Sequence, residues 1–258
     1  RILPNEDHEV SEEVEKNFKK SGIKISKGVK VSKIQSMKQN AKVYLEKKPN
    51  DEIIKAERVL LAVGVTGNIN NLGLEDLGIE TEAGAIKTDN FNRTNIENIY
   101  AIGDVCGPPW LAHVASAQGY LAAEHSAGLN VNPIDYSNIP GCTYCQPQVG
   151  SLGMTEEQAL SSGFKVKVGR FSFQASGKAM AIGNTIGFVK LIFDEKYGEL
   201  LGAHIVGSEA TEMIAELGMA KALESTWDDL SMTVHAHPTL SEAIMEAAMD
   251  AQGYSIHQ

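Results

Sequence analysis

A histidine and a glutamate that lie five residues apart near the end of the chain have the residue types and spacing of a general base. His237 precedes Pro238, and Glu242 falls in the first turn of a predicted helix. This spacing lets the two side chains meet, so that the carboxylate fixes the ring tautomer and raises the basicity of the other ring nitrogen. Thr239-x-x-Glu242 also matches a capping box, which is the structural alternative. We assign the nearby His235 to packing or to the surface.

A second candidate site begins where an apolar run over residues 98–102 stops at Gly103-Asp104. A carboxylate at the carboxyl end of a buried strand can accept hydrogen bonds from sugar-like hydroxyl groups. A helix predicted to start near residue 112 would offer N–H groups and a partial positive charge to an electron-rich ring. A turn without function remains the alternative for Asp104 taken alone. The combined site includes Trp110, Leu111, Ala112 and His113.

The pair Cys142 and Cys145 forms a CxxC motif, which raises the possibility of a redox or zinc site. Zinc would need two more ligands at compatible spacing, and none stands nearby, so we expect no metal. A thioredoxin-like pair would begin a helix, whereas a strand pattern surrounds this one. We interpret both as buried or interface cysteines. Three cysteines and no apparent signal peptide favour a reducing compartment, the cytoplasm or, in a eukaryote, the mitochondrial matrix.

Composition narrows the function classes further. The 258 residues carry a net charge of -10, which argues against nucleic acid as a partner. No run approaches the roughly 18 apolar residues of a membrane span. The hydrophobic fraction of 43% is typical of a globular protein of one or two domains. The chain opens with Arg1 and not with Met, so we expect it to be part of a longer product.

The patterning predicts two kinds of architecture. In the first half, Ser11 is the expected N-cap of a short helix, alternation predicts strands over 23–31 and 42–46, and the apolar run Arg58–Gly64 predicts a strand buried on both faces. In the second half, a capping box begins at Thr155. The other predicted elements there are strands over 165–173, 188–193 and 200–206 and helices over about 209–223 and 240–251. The last two strands are predicted to pair with each other across the turn 194–198.

These segments, taken in order, resemble the C-terminal part of the class I flavin-dependent pyridine-nucleotide disulfide oxidoreductases. The final run is closest to the dihydrolipoamide dehydrogenase branch, and the glutathione and mercuric reductases share the general scheme. The matching residues are Val63-Gly64, Asn98 to Asp104, Leu111 to His113, Ile139 to Pro147, Gly153 to Glu156 and Ala236 to Glu242.

The resemblance implies FAD and NAD as cofactors, a homodimer, and a lipoyl domain of a 2-oxo-acid dehydrogenase complex as partner. The resemblance to the dihydrolipoamide dehydrogenase branch implies that the complete protein reoxidises a protein-bound dihydrolipoyl group through a cysteine disulfide, then FAD, then NAD. His237 would take a thiol proton, with Glu242 as its orienting partner, in the active site of the other subunit. The implied flavin-contacting residues are Gly103, Asp104, Trp110, Leu111, Ala112 and His113, and those implied for NAD are Gly64 and Val31.

The expected fold class is therefore α/β and α+β, the remnant of nucleotide-binding three-layer domains followed by an α+β interface domain. We expect a partial NAD-binding domain over 1–62, the C-terminal part of an FAD-binding domain over 63–132, and the interface domain over 133–258. The family's two GxGxxG motifs and its Cys-x4-Cys pair do not occur in these residues. We therefore expect the chain alone to be inactive. The alternatives are a cofactor-free dimerisation or assembly fragment and a reductase of the glutathione or mercuric type.

Overall fold

The computed structural model describes residues 1–46 and 51–257. The predicted domain ranges 1–62 and 133–258 therefore include a few residues that lie outside this description. The chain divides into two compact units, the first of Arg1–Met37, Lys42–Lys55 and Ser137–Gln258 and the second of Lys38–Ala41 and Ala56–Tyr136. The described residues contain the α-helices α1 (His8–Lys20), α2 (Ala112–Ser126), α3 (Glu156–Ser161), α4 (Gly177–Ala181), α5 (Ala210–Ala222), α6 (Trp227–Met232) and α7 (Glu242–Ala251).

The described strands form three sheets, of three, five and two strands. Together with the helices they confirm the predicted mixture of α and β structure. The three-stranded sheet has the order β1 (Lys30–Ser36), β2 (Ala41–Glu46) and β3 (Glu52–Ala56), and the two-stranded sheet pairs β4 (Thr81–Glu82) with β5 (Ala85–Ile86). The five-stranded sheet has the order β6 (Gly141–Thr143), β7 (Gln148–Gly153), β10 (Leu200–Gly207), β9 (Phe188–Asp194) and β8 (Val166–Ser172).

The five-stranded antiparallel sheet is the centre of the first unit. The predicted pairing of its two long strands is confirmed, since Phe188 in β9 lies opposite Val206 in β10. Every residue of β10 is buried, because helices cover the sheet. The main core cluster joins these strands to α5, α6 and α7 and includes Phe193, Ile205, Leu217 and Ile244.

The close packing of α7 against the sheet depends on a glycine in β8. A side-chain carbon added at Gly169 would collide with the backbone oxygen of Ala247 in α7. The helix can therefore lie directly on the strand only while this position carries no Cβ. This packing fixes the place of Glu242, which is the first residue of α7.

Helix α1 begins four residues earlier than the pattern predicted, which corrects the assignment of Ser11 as its N-cap. The carboxylate of Asp7 accepts a hydrogen bond from the Glu9 N–H at 3.0 Å and caps the helix. Ser11 is buried inside the helix, and its hydroxyl donates to the carbonyl of Leu3 at 3.1 Å. An aspartate and a serine are both good caps, and tertiary contacts of Asp7 favour the earlier start.

Two strand predictions in the first half are wrong. Residues 58–64 form no strand, and side chains in this run are exposed, Leu60 to 90% and Val63 to 91%. A strand buried on both faces needs neighbouring strands and covering helices, and the described residues place none beside this run. The run over 98–102 forms only an isolated bridge between Tyr100 and Arg93. The first alternating pattern forms a strand only from Lys30 onward.

The second unit contains a small core and one long helix. Leu74, Ile79, Ile86 and Ala101 form its buried cluster. Helix α2 starts at Ala112, as predicted. A short 3-10 helix, Gly103–Cys106, lies between this core and α2.

Candidate functional site

The structure brings His237 and Glu242 into direct contact. The Nδ1 atom of His237 lies 2.8 Å from Oε1 of Glu242. Because an ionised carboxylate only accepts hydrogen bonds, this contact places a proton on Nδ1 and leaves the Nε2 lone pair available in the neutral ring. The His237 side chain is 78% exposed, so a second molecule can reach Nε2. The pair has the geometry that a general base needs.

Glu242 performs both of the roles that the sequence left open. While Oε1 contacts His237, its Oε2 atom accepts the backbone N–H of Thr239 at 2.8 Å. Partial burial raises the pKa of Glu242, but the hydrogen bonds from Thr239 and His237 outweigh this effect and the pKa lies below its ordinary value. The carboxylate is therefore anionic at neutral pH and is held at both oxygens.

The loop that carries His237 is closed by further hydrogen bonds. The Thr239 hydroxyl donates to the carbonyl of Ala236 at 2.6 Å. The His235 side chain is largely buried, and its Nε2 atom lies 2.7 Å from Oε1 of Glu216 in α5. This agrees with the assignment of His235 to packing. Sequence reasoning missed Glu216, because it lies in α5 and precedes His235, a residue of the loop before α7, by 19 residues.

The second candidate site lies in the second unit, around the short helix Gly103–Cys106. Gly103 has a φ of 75° and its N–H donates to Oε1 of Gln118 at 2.7 Å. Gln118 is buried in α2 and also donates to the Tyr136 hydroxyl. It fixes the turn that presents the exposed carboxylate of Asp104. Sequence reasoning missed Gln118, since a glutamine on a helix carries no spacing signal of its own.

A cavity of about 400 Å³ adjoins this turn. Gly67 approaches the turn closely, since a Cβ there would lie 3.1 Å from the Asp104 carbonyl oxygen. Leu111 precedes α2 and makes no side-chain capping bond to its first turn, and Ala112 and His113 open the helix with exposed side chains. The cavity is lined by Thr66, Gly67, Cys106, Gly107, Pro108 and Trp110, among others.

The two residues predicted to contact NAD lie on exposed surfaces of their own units. Gly64 has a φ of 113°, and no atom lies within 4 Å of the position that a Cβ would occupy. Val31 stands in β1 and is half-exposed. A ligand can approach the backbone of Gly64 without a steric barrier.

The cysteines do not have the environment of a reactive thiolate. Burial raises the pKa of Cys106 to about 11. Burial also raises the pKa values of Cys142 and Cys145. All three thiols are therefore protonated at neutral pH, whereas disulfide exchange requires a thiolate. Among residues 1–46 and 51–257, no group of three or more His, Cys, Asp or Glu side chains is arranged to hold a metal ion.

None of the helices in the described part of the chain combines the length and the apolar character needed to span a bilayer.

Comparison with known proteins finds relatives that carry the same name. Dihydrolipoyl dehydrogenase of Rhizobium etli is 48% identical over 254 residues, which are 98% of this chain and 53% of that protein. Dihydrolipoyl dehydrogenase of Bacillus subtilis is 44% identical over 259 residues, covering 100% of this chain and 55% of that protein. The chain thus spans about half the length of these relatives. The crystal structure of LpdA from Mycobacterium tuberculosis matches with a TM-score of 0.88 and 26% identity, over 96% of this chain and 54% of LpdA.

Two family patterns cover most of the chain. The pattern described as pyridine nucleotide-disulphide oxidoreductase matches residues 1–119. The dimerisation domain of the same family matches residues 139–248, which include the His237–Glu242 pair. The chain therefore belongs to the pyridine nucleotide-disulphide oxidoreductase family.

Proposed function

We propose that the complete protein containing this chain is a dihydrolipoyl dehydrogenase, which reoxidises protein-bound dihydrolipoamide with NAD through a redox disulfide and FAD. The observation that carries the proposal is the exposed His237 ring, whose Nδ1 atom is held by Glu242 at 2.8 Å. The dihydrolipoyl dehydrogenases among the relatives, at 44% to 48% identity, support this choice within the family.

His237 acts as the base in this proposal. Its Nε2 lone pair takes the proton of a dihydrolipoyl thiol, which leaves a thiolate and an imidazolium. The anionic Glu242 stabilises the positive charge that develops on the ring and keeps Nδ1 as a donor. The three cysteines of this chain, protonated at neutral pH, do not supply the redox pair. We therefore propose that the chain alone is inactive.

The second unit supplies the flavin contacts in this proposal. The exposed Asp104 carboxylate and the α2 start, which has no side-chain cap, suit a ligand with hydroxyl groups and an electron-rich ring. When bound, the two cofactors would supply the electron chemistry beyond the redox disulfide, FAD as the intermediate acceptor and NAD as the final one. The residues proposed to hold FAD are Gly103, Asp104, Trp110, Leu111, Ala112 and His113, and those proposed for NAD are Gly64 and Val31.

A homodimer and a lipoyl domain are the proposed partners. The match of residues 139–248 to a dimerisation domain supports the homodimer. The outward-facing His237 fits a site completed by the partner subunit. The three predicted domain ranges and a cytoplasmic location remain parts of this proposal.

The test is dihydrolipoamide-dependent reduction of NAD by the complete protein and its His237→Gln variant. We expect the variant to retain FAD and to lose turnover by about 10²- to 10⁴-fold, since it lacks the general base. His8→Gln is the matched control, because His8 is another exposed histidine beside a glutamate, Glu12 at 3.6 Å. Turnover of His237→Gln within a few fold of the unmodified protein would refute the role of His237. Absence of lipoamide turnover in the unmodified protein would refute the substrate.

A further inference from the structure

A second histidine–glutamate pair lies directly behind the loop of His237. His235 and Glu216 are 2.7 Å apart, and the His235 side chain is only 6% exposed. The other ring nitrogen, Nδ1, lies 2.9 Å from the backbone carbonyl oxygen of Thr233. Both nitrogens of this buried ring therefore have partners within hydrogen-bond distance.

The chemistry of these two partners determines the charge of the ring. A carboxylate and a backbone carbonyl can only accept hydrogen bonds. A neutral imidazole has one N–H, so one of the two contacts would then join a lone pair to an acceptor. Only the imidazolium form donates to both. His235 therefore carries a positive charge that the partly exposed Glu216 carboxylate balances.

The pair also connects the His237 loop to α5. Glu216 belongs to α5, whose residues Ile214 and Leu217 pack in the main core cluster. His235 is separated from His237 by Ala236 alone. The carbonyl of Ala236 accepts the Thr239 hydroxyl, and Glu242 holds the far end of the loop through Thr239. The ion pair is thus one of two anchors of the loop.

We propose that His235, held as an imidazolium by Glu216, is a positioning residue that anchors the His237 loop and keeps the His237 ring in contact with Glu242. The inference rests on the proposed function of His237 as base. His235 does not touch the reacting atoms, since both of its ring nitrogens are engaged within the protein.

The charges around His235 agree with this protonation state. The hydrogen bond to Glu216 raises the pKa of His235 and outweighs the opposing effect of burial, and Glu242 from α7 adds to the increase. A separate cavity of about 430 Å³ in the first unit is lined by Glu216 together with the charged residues Lys178, Glu209 and Glu212. His237 is the other titratable group on the same loop.

The first measurement is ring ¹⁵N NMR of the protein across pH. We expect both ring nitrogens of His235 to stay protonated well above the ordinary histidine pKa of about 6.5. In Glu216→Gln, His235 should titrate at lower pH, and His237 should lose its preference for a proton on Nδ1. A His235 ring that is neutral at pH 7 in the unmodified protein, or a His237 tautomer unchanged by Glu216→Gln, would overturn the proposal.

The second measurement is the steady-state kinetics of the complete protein. For Glu216→Gln and His235→Gln we expect kcat to fall by about tenfold to a hundredfold with little change in KM, because a misplaced base slows the proton transfer. Glu216→Asp should recover part of the loss. Glu212→Gln is the matched control on the same helix, and its kcat should stay within twofold of that of the unmodified protein. If Glu216→Gln also stays within twofold, the proposal fails.

The two measurements separate this proposal from the proposed function. A complete protein without lipoamide turnover would refute the assigned substrate, while the NMR titration would still decide the charge of His235 and its effect on His237. Normal turnover that depends on His237 but not on Glu216 would refute only the positioning role.

Discussion

Glu242 connects the start of α7 to the His237 ring by using each carboxylate oxygen once. The Thr239 N–H contacts Oε2 and the His237 ring contacts Oε1, both at 2.8 Å. A capping residue and an orienting carboxylate are therefore not competing interpretations of this side chain. The consequence is that its two contacts can be separated by a substitution that preserves shape.

Glu242→Gln is the substitution that makes this separation. The amide oxygen can still accept the Thr239 N–H, but the amide nitrogen is a donor and cannot accept from Nδ1 of His237. We expect stability close to that of the unmodified protein and a fall in kcat on the order of 10²- to 10⁴-fold, since the ring loses its fixed tautomer. Turnover and thermal unfolding of the complete protein measure the two effects.

The matched control for this prediction is Glu195→Gln, at an exposed position after β9. It should change neither quantity. A large loss of stability in Glu242→Gln would contradict the idea that the cap survives, and unchanged turnover would contradict the orienting role.

Helix α1 is joined to the central sheet by a buried lysine. The Lys190 side chain in β9 is 2% exposed, and its Nζ atom lies 2.9 Å from Oδ1 of Asp7 and 2.7 Å from Oε1 of Glu9. Glu156 of α3 contributes a third carboxylate at 2.8 Å. Three elements that are distant in sequence therefore meet at one ammonium group, which explains why Asp7, and not Ser11, begins the helix.

Lys190→Met should destabilise the protein by about 3–5 kcal/mol, because it leaves the buried Asp7 carboxylate without a counter-ion. Burial raises the pKa values of Asp7 and Glu9, but the contacts with Lys190, and with Arg170 for Glu9, outweigh it and lower both. Their stabilising effect is present above the ordinary carboxyl pKa of about 4 and is lost as the pH falls through the folded-state values.

The difference in the free energy of unfolding between Lys190→Met and the unmodified protein should therefore become smaller at acidic pH. Urea unfolding at about pH 7 and at about pH 2.5, well below the ordinary carboxyl pKa, measures this dependence. Lys167→Met, at an exposed position of β8, is the control and should cost less than about 0.5 kcal/mol. If the loss of stability in Lys190→Met is equally small, or does not depend on pH, the proposed stabilising role of the ion cluster is wrong.

The molecule as a whole presents an apolar surface beside the His237 loop. Met232 at the end of α6 is 80% exposed, and Val234 is 94% exposed. Both lie within the residues that match the family's dimerisation domain. Apolar side chains of this size are costly to leave in water, so we expect the partner subunit to cover them.

The double variant Met232→Glu with Val234→Asp should weaken the dimer by about 100-fold or more, since burial of each side chain contributes about 1.5–3 kcal/mol. Sedimentation velocity of the complete protein measures the association, and circular dichroism checks that each subunit stays folded. Leu160→Glu, an exposed leucine on α3, is the control. A double variant that remains a dimer at micromolar concentration would show that this surface is not the interface.

Local patterns were enough to predict the features that depend on neighbouring residues. The contact of His237 with Glu242, the start of α2 at Ala112 and the capping box at Thr155 all lie within one or two helical turns. The pairing of β9 with β10 also followed from alternation around one short turn. Helix and hairpin geometry fixes such distances once the element forms.

Features that join distant segments appeared only in the folded structure. The pairing of His235 with Glu216, the anchoring of Asp7 by Lys190 and the support of Gly103 by Gln118 cross between separate elements. In the run over 58–64, the local pattern alone was misleading. Its apolar residues predict a strand, and the structure forms none there. Spacing along a chain specifies which side chains share a turn. Contacts between distant segments are decided by tertiary packing, because packing sets solvent exposure and brings charges from separate elements together.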